Sequence, residues 1–249
     1  DINLNINGAT SISKFSDILI KLEKELTSIQ PDWLFVFGDV DSTLAGSIVA
    51  KKLNIKLAHI ESGLRSFDRV MPEEINRIAT DSLSDILFVT EESGKKNLIN
   101  EGVEVNKIFF VGNTMIDTLV SMKEKIKASN CLDKSFYKED YIVLTLHRPS
   151  NVDDIKMLNT ILDRIARWTE GYKVVWPVHP RIQKTNFPFL DDRFIRINPV
   201  GYFQFLKLVL DCKYVITDSG GIQEESTFLD IPCITLRENT ERPVTIDEG

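Results

Sequence analysis

Two blocks of alternating β and α signals predict an α/β protein with two Rossmann-like parallel-sheet domains facing a cleft. Two observations carry this. Short apolar runs recur along the chain, and each ends at a polar or glycine turn that leads into an amphipathic stretch. That is the pattern of β–α units in parallel sheets. The runs also fall on either side of a polar segment at 128–138, the best linker candidate. The expected domains are therefore residues 1–130 and 131–249. Right-handed crossovers would line up the strand C-termini along one edge of each sheet, where ligands bind in such folds.

The elements follow in order. Residues 11–30 place Ile12, Phe15, Leu19, Leu22, Leu26 and Ile29 on one helical stripe, which Pro31 ends. The buried-strand run 33–37 stops at Gly38-Asp39. Asp41, Ser42 and Thr43 offer N-caps for a helix through Ala50. A second strand, 56–60, ends at Glu61. Met71-Pro72-Glu73-Glu74 opens a helix, with proline in its first turn and two carboxylates facing the positive end of its dipole. Strands at 86–90 and 108–111 and helices at 91–101 and 114–128 complete the first block. The second block reads as strand 141–146, helix 154–169, strands 173–178 and 194–197, helix 202–211, strand 214–217, helix 221–229 and strand 233–236.

Composition narrows the function. The 249 residues are 43% hydrophobic and 27% charged, ordinary for a globular chain long enough for two cores. A net charge of −7 argues against nucleic acid as a partner, which needs a basic footprint, but leaves an anionic small ligand open. Cys131, Cys212 and Cys233 are scattered without a CxxC pair, which fits a reducing cytoplasm. No run approaches the ~18 apolar residues of a membrane span, so no membrane partner is expected. The opening at Asp1 and the stop at Gly249 are those expected of a fragment, with both domains incomplete and some apolar surface uncovered.

Ser219-Gly220-Gly221, directly after an apolar run, reads as a strand, a tight turn and a helix N-terminus. Its glycines would let a phosphate approach the backbone, and the free N–H groups of the first turn favour negative charge. Glu225, one turn in, is spaced to reach a ribose hydroxyl if a nucleotide sits there. A plain turn with a capping serine is the alternative reading. Asp39, Glu61 and the pair Glu73-Glu74 stand at strand ends or a helix start, where each alone could equally be a cap. Crowded together, carboxylates raise each other's proton affinity, which suits acid–base work. His147 with Arg148, and His179 with Arg181, follow two strands of the second block and suit a pyrophosphate clamp. Arg237 and Arg242 lie in a polar turn near the end that is as readily a solvated loop, and His59 reads as a packing residue. Neither GxxxxGK[ST] nor GxGxxG occurs, against an ATPase or a dinucleotide enzyme, and neither cofactor nor metal is expected.

The motif series FGDVDSTLAG (37–46), HIESGLRSFDRVMPEEINR (59–77), GNTMIDTL (112–119), LHRPSNVD (146–153), PVHPR (177–181), TDSGGIQEES (217–226) and RENTERPVT (237–245) resembles the non-hydrolysing UDP-N-acetylglucosamine 2-epimerases across nearly the whole chain. The resemblance implies a glycosyltransferase-B type fold and interconversion of UDP-N-acetylglucosamine and UDP-N-acetylmannosamine through a glycal intermediate. It implies catalytic Asp39, Glu61, Glu73 and His147, with the roles of the three acids open. It also implies UDP contacts from Ser219, Gly220, Gly221 and Glu225, with Phe205 near the uracil. Arg148, His179 and Arg242 complete the expected substrate-binding set. The expected partners are a UDP-sugar and a second copy of the chain. A related UDP-diacetamido-uronate is the alternative substrate, and a nucleotide-sugar-binding module without catalysis is the alternative outside enzymes.

Overall fold

A computed structural model describes residues 2–133, 136–180, 182, 191–237 and 245, and the chain divides into two compact units, Asp1–Thr114 and Met115–Gly249. The first contains α1 (Ser11–Ile29), β1 (Trp33–Phe37), α2 (Asp41–Lys52), β2 (Lys56–Ile60), α3 (Pro72–Leu83), β3 (Ile86–Val89), α4 (Glu92–Asn100) and β4 (Ile108–Phe110). Its four strands are parallel, in the order β1-β2-β3-β4. Thr10 caps α1 reciprocally with Ser13, and Gln30 ends it in the left-handed conformation before Pro31. One pleat buries Val36 and Leu57 against the α1 and α2 residues Leu26, Val49 and Ala50. Residues of alternate register, Phe35, Phe37 and Phe109, are about half exposed.

The second unit contains α5 (Thr114–Ser121), α6 (Lys123–Ala128), β5 (Tyr141–Thr145), α7 (Pro149–Val152), α8 (Ile155–Trp168), β6 (Lys173–Pro177), β7 (Phe194–Ile197), α9 (Tyr202–Asp211), β8 (Val215–Thr217), α10 (Gly220–Phe228) and β9 (Cys233–Thr235). Its parallel sheet has the order β7-β6-β5-β8-β9. The chain therefore winds outward in one direction from β5 through β6 and β7, then returns to add β8 and β9 on the other side. The crevice between the ends of β5 and β8 is the topological switch point. Ile142, Leu144, Trp176 and Ile216 are fully buried on one side of this sheet and Tyr141, Val143, Val175 and Val215 on the other. Each such aliphatic side chain contributes roughly 1.5–3 kcal/mol relative to exposure.

Three features differ from the sequence reading. The single helix expected over 114–128 is broken at Met122. The division of the chain falls at Thr114, not at 130, because Leu119 and Ile126 are buried with Leu206 of α9. The supposed linker also packs, since Cys131, Leu132, Phe136 and Tyr137 lie against the Tyr141 cluster.

Gly63 has φ +80°, and a Cβ there would stand 2.4 Å from the Gly94 carbonyl oxygen. Gly102 has a similar φ, +86°, with open space around it. Gly63→Ala is therefore expected to cost about 3 kcal/mol in urea unfolding, from clash and left-handed strain together, against about 1 kcal/mol for Gly102→Ala, from strain alone. Equal losses would contradict the close approach.

Candidate active site

In the first unit, parallel register sets Phe37 beside Ile60 and Ile60 beside Phe88, so three strand ends are level. Gly38 turns the chain out of β1 with φ +63°, presenting Asp39. Glu61 leaves β2 with φ +70°, unfavourable for a residue with a Cβ. Its N–H and that of Ser62 both donate to the Phe88 carbonyl at 3.1 Å, which holds the strained backbone in place. Arg77 of α3 reaches both acids: Nη1 is 3.0 Å from Asp39 Oδ2 and Nη2 is 3.8 Å from Glu61 Oε2. The guanidinium is buried, and its Nε has no partner among the described residues. The two carboxylates thus meet around a cation, where the sequence reading expected crowding between acids alone. Asn76 adds a hydrogen bond from Nδ2 to the Asp39 carbonyl at 2.9 Å.

The glutamate pair divides. Glu74 is buried and accepts from the Ser66 N–H at 2.8 Å and the Phe67 N–H at 3.2 Å, so it ties down the loop before α3. Glu73 is exposed on the first turn of α3, one turn before Arg77 and on the same face. Behind the acids, His59 Nδ1 lies 2.6 Å from Asp81 Oδ1 and its Nε2 lies 2.8 Å from the Gly38 carbonyl. Asp81 also pairs with Arg65 at 2.7 Å and accepts from the Gly63 N–H at 3.1 Å. His59 therefore packs, as expected, but it also links the turn that carries Asp39 to a buried carboxylate.

In the second unit the candidates gather at the switch point. His147 and Arg148 follow β5, and Asp218 and Ser219 follow β8. Asp218 is fully buried and accepts from the His147 N–H at 3.1 Å, the Arg148 N–H at 2.9 Å and Asn151 Nδ2 at 3.0 Å, while His147 Nδ1 stands 2.6 Å away. Burial pushes the Asp218 carboxyl up, but hydrogen bonds from His147, Arg148 and Asn151 outweigh it and hold the group below the usual aspartate range. Arg148 Nε donates to the Asp218 carbonyl at 2.9 Å. Ser219 takes the N-cap position of α10, but its side chain makes no cap hydrogen bond there. Its own N–H donates to Thr217 Oγ1 at 3.0 Å, and the first-turn N–H groups of Gly220 and Gly221 point out of the helix end. The His147 and His179 rings stand 6.1 Å apart.

Glu225 is buried one turn into α10 and accepts from the Tyr202 hydroxyl at 2.8 Å. Phe205 is half-buried between the Tyr141 and Leu206 clusters. Arg181 and Arg242 lie outside the described residues. Sequence reasoning missed Arg77, Asp218, Asn151 and Tyr202 as site residues. For Arg77 a signal existed, the four-residue helical spacing from Glu73; for Asp218, its place directly after a strand run.

Burial raises the Glu225 carboxyl, and the Tyr202 hydrogen bond only partly offsets it. Its ionised form is thus less favourable in the folded chain than in the unfolded one. That penalty is absent below the ordinary glutamate value and grows as pH rises from there to the raised value. Glu225→Gln, which keeps an acceptor for Tyr202, is expected to raise the unfolding midpoint at neutral pH and leave it unchanged below the ordinary glutamate value. Equal midpoints at neutral pH would contradict this.

The sequence profile of the UDP-N-acetylglucosamine 2-epimerase family matches residues 1–249. The UDP-N-acetylglucosamine 2-epimerase of Methanocaldococcus jannaschii is 45% identical, with the alignment covering 99% of this chain and 71% of that protein. A crystal structure of the UDP-GlcNAc 2-epimerase from that organism, in complex with UDP-GlcNAc and UDP, has a TM-score of 0.88 at 43% identity, over 99% of this chain and 71% of that one. The UDP-2,3-diacetamido-2,3-dideoxy-D-glucuronate 2-epimerase of Pseudomonas aeruginosa is 38% identical over 97% of this chain and 68% of its own length. A solved glycosyltransferase of kitacinnamycin, 11% identical with TM-score 0.54 over 95% of this chain and 67% of that one, shares the fold, of the glycosyltransferase-B type. With its two parallel sheets and strand-end acids, this chain belongs to the UDP-N-acetylglucosamine 2-epimerase family.

Proposed function

We propose that the protein interconverts UDP-N-acetylglucosamine and UDP-N-acetylmannosamine. The observation that carries this reading is the grouping of Asp39 and Glu61 about Arg77 at adjacent strand ends. C2 of the sugar has no carbonyl beside it, so a simple carbanion there would be very costly. Elimination avoids it: the C1–O bond breaks and UDP leaves with the electron pair, C2–H gives up its proton, and a C1–C2 double bond forms. Re-addition returns UDP to C1 and a proton to the other face of C2. The path needs proton-transfer groups for two faces, which Asp39, Glu61 and Glu73 supply, and donors for a diphosphate whose charge grows as it leaves.

The second unit supplies those donors in this proposal. The α10 N-terminus, with Ser219, Gly220 and Gly221, takes a phosphate on backbone N–H groups. His147, Arg148, His179 and Arg242 add positive charge or hydrogen bonds, Glu225 takes the ribose hydroxyls in exchange for Tyr202, and Phe205 lies near the uracil. The protein works without a cofactor, as a homodimer in the cytoplasm; the three thiols Cys131, Cys212 and Cys233 are free, which suits a reducing compartment. No helix among the described residues is long and apolar enough to cross a membrane.

Proton NMR in D2O tests the reading. UDP-N-acetylglucosamine is expected to yield the second epimer as an intact nucleotide sugar, with deuterium at C2 in both, and Asp39→Asn is expected to slow this about 10²–10⁴-fold. Neither epimer nor deuterium would reject it, and free sugar plus UDP would indicate hydrolysis instead. The relative from Pseudomonas aeruginosa makes the UDP-diacetamido-uronate the second reading. Faster turnover of that sugar than of UDP-N-acetylglucosamine would favour it.

A further inference from the structure

We propose that Asp218 is the positioning residue for His147, fixing which ring nitrogen meets the ligand. Asp218 is fully buried at the switch point, and its carboxylate collects two backbone N–H groups, the Asn151 amide and His147 Nδ1, the last at 2.6 Å. A carboxylate with three other donors aimed at it is an acceptor only, so the hydrogen between it and the ring sits on Nδ1. A neutral imidazole carries one N–H, and with that hydrogen on Nδ1 the lone pair falls on Nε2. The ring is 44% exposed, and Nε2 makes no hydrogen bond among the described residues. His147 therefore offers the ligand one nitrogen, always Nε2, which accepts when the ring is neutral and donates when it is charged.

The same carboxylate sets where the ring stands. Its bonds to the His147 and Arg148 N–H groups fix the backbone at the end of β5, and the Arg148 side chain returns to the Asp218 carbonyl at 2.9 Å. Asn151 links Asp218 to the Leu236 carbonyl at 3.1 Å, so β9 is held to the same point. Asp218 immediately precedes Ser219, so the histidine and the N-terminus of α10 are held by one residue. This goes beyond the epimerase reading, since the tautomer does not depend on any reaction; only the kinetic consequence rests on that reading.

Nitrogen-15 labelling of histidine in the full chain, which has three histidines, reads the tautomer directly. The His147 signal, identified by its loss in His147→Ala, is expected to report hydrogen on Nδ1 at a pH where the ring is neutral, and Asp218→Asn to move it toward the Nε2–H form. Hydrogen on Nε2 in the unaltered chain would overturn the proposal. If the chain epimerises UDP-N-acetylglucosamine, Asp218→Asn is expected to lower kcat about 10²–10⁴-fold with little change in KM. Added to His147→Ala, it should cost less than about threefold more, because it acts through a group already removed. An equal loss in both backgrounds would show a structural role only and overturn the proposal. Absence of epimerase activity with the Nδ1–H tautomer present would reject the reaction while leaving the positioning intact.

Discussion

A carboxylate removed from water is costly unless donors surround it, and each unit of this chain buries one against the residues around a strand end, Asp81 from α3 and Asp218 directly after β8. Asp81 gathers His59, Arg65 and the Gly63 N–H, and Asp218 gathers His147, Arg148 and Asn151. In each case the partners lie in one short stretch distant in sequence from the carboxylate, 59–65 for Asp81 and 147–151 for Asp218, so satisfying one buried charge ties two segments together. Asp81 reaches the turn that carries Asp39 through His59 and the Gly38 carbonyl. Asp218 reaches the glycine turn directly, as its preceding residue. The local geometry at each strand edge follows from this demand, with the apolar sheets beneath as the rigid base.

On that base the two units carry complementary chemistry. The first holds two acids around Arg77, with the left-handed backbone at Glu61 tied down by hydrogen bonds from the Glu61 and Ser62 N–H groups to the Phe88 carbonyl. A flexible loop could not keep two carboxylates within reach of one guanidinium. The second offers a helix N-terminus whose capping serine is not engaged in capping, beside a histidine held by a buried aspartate. In the proposed reaction proton transfer falls to one unit and anion binding to the other, the division that an elimination with a charged leaving group calls for.

The order of strands and helices was legible in the residues because short apolar runs alternate with helical stripes, and the Pro31 and Pro72 signals sit at real helix ends. The strand-end positions of Asp39, Glu61, His147 and Ser219 followed from that order. What escaped depends on pairings distant in sequence. His147 and Asp218 are 71 residues apart and meet only because β8 lies beside β5. Residues 114–128 read as helical in isolation, but nothing local says that Leu119 and Ile126 enter the core of the second unit. Arg77 reads as one more polar helix position until α3 is packed against β2.

The most direct measurement of this division is calorimetric titration with UDP of the unaltered chain and of a variant carrying both Asp39→Asn and Glu61→Gln. The account predicts UDP affinity within about threefold of the unaltered chain together with complete loss of deuterium exchange at C2, because the acids act on the sugar and not on the diphosphate. Loss of UDP binding with the acids, or exchange that survives without them, would contradict it.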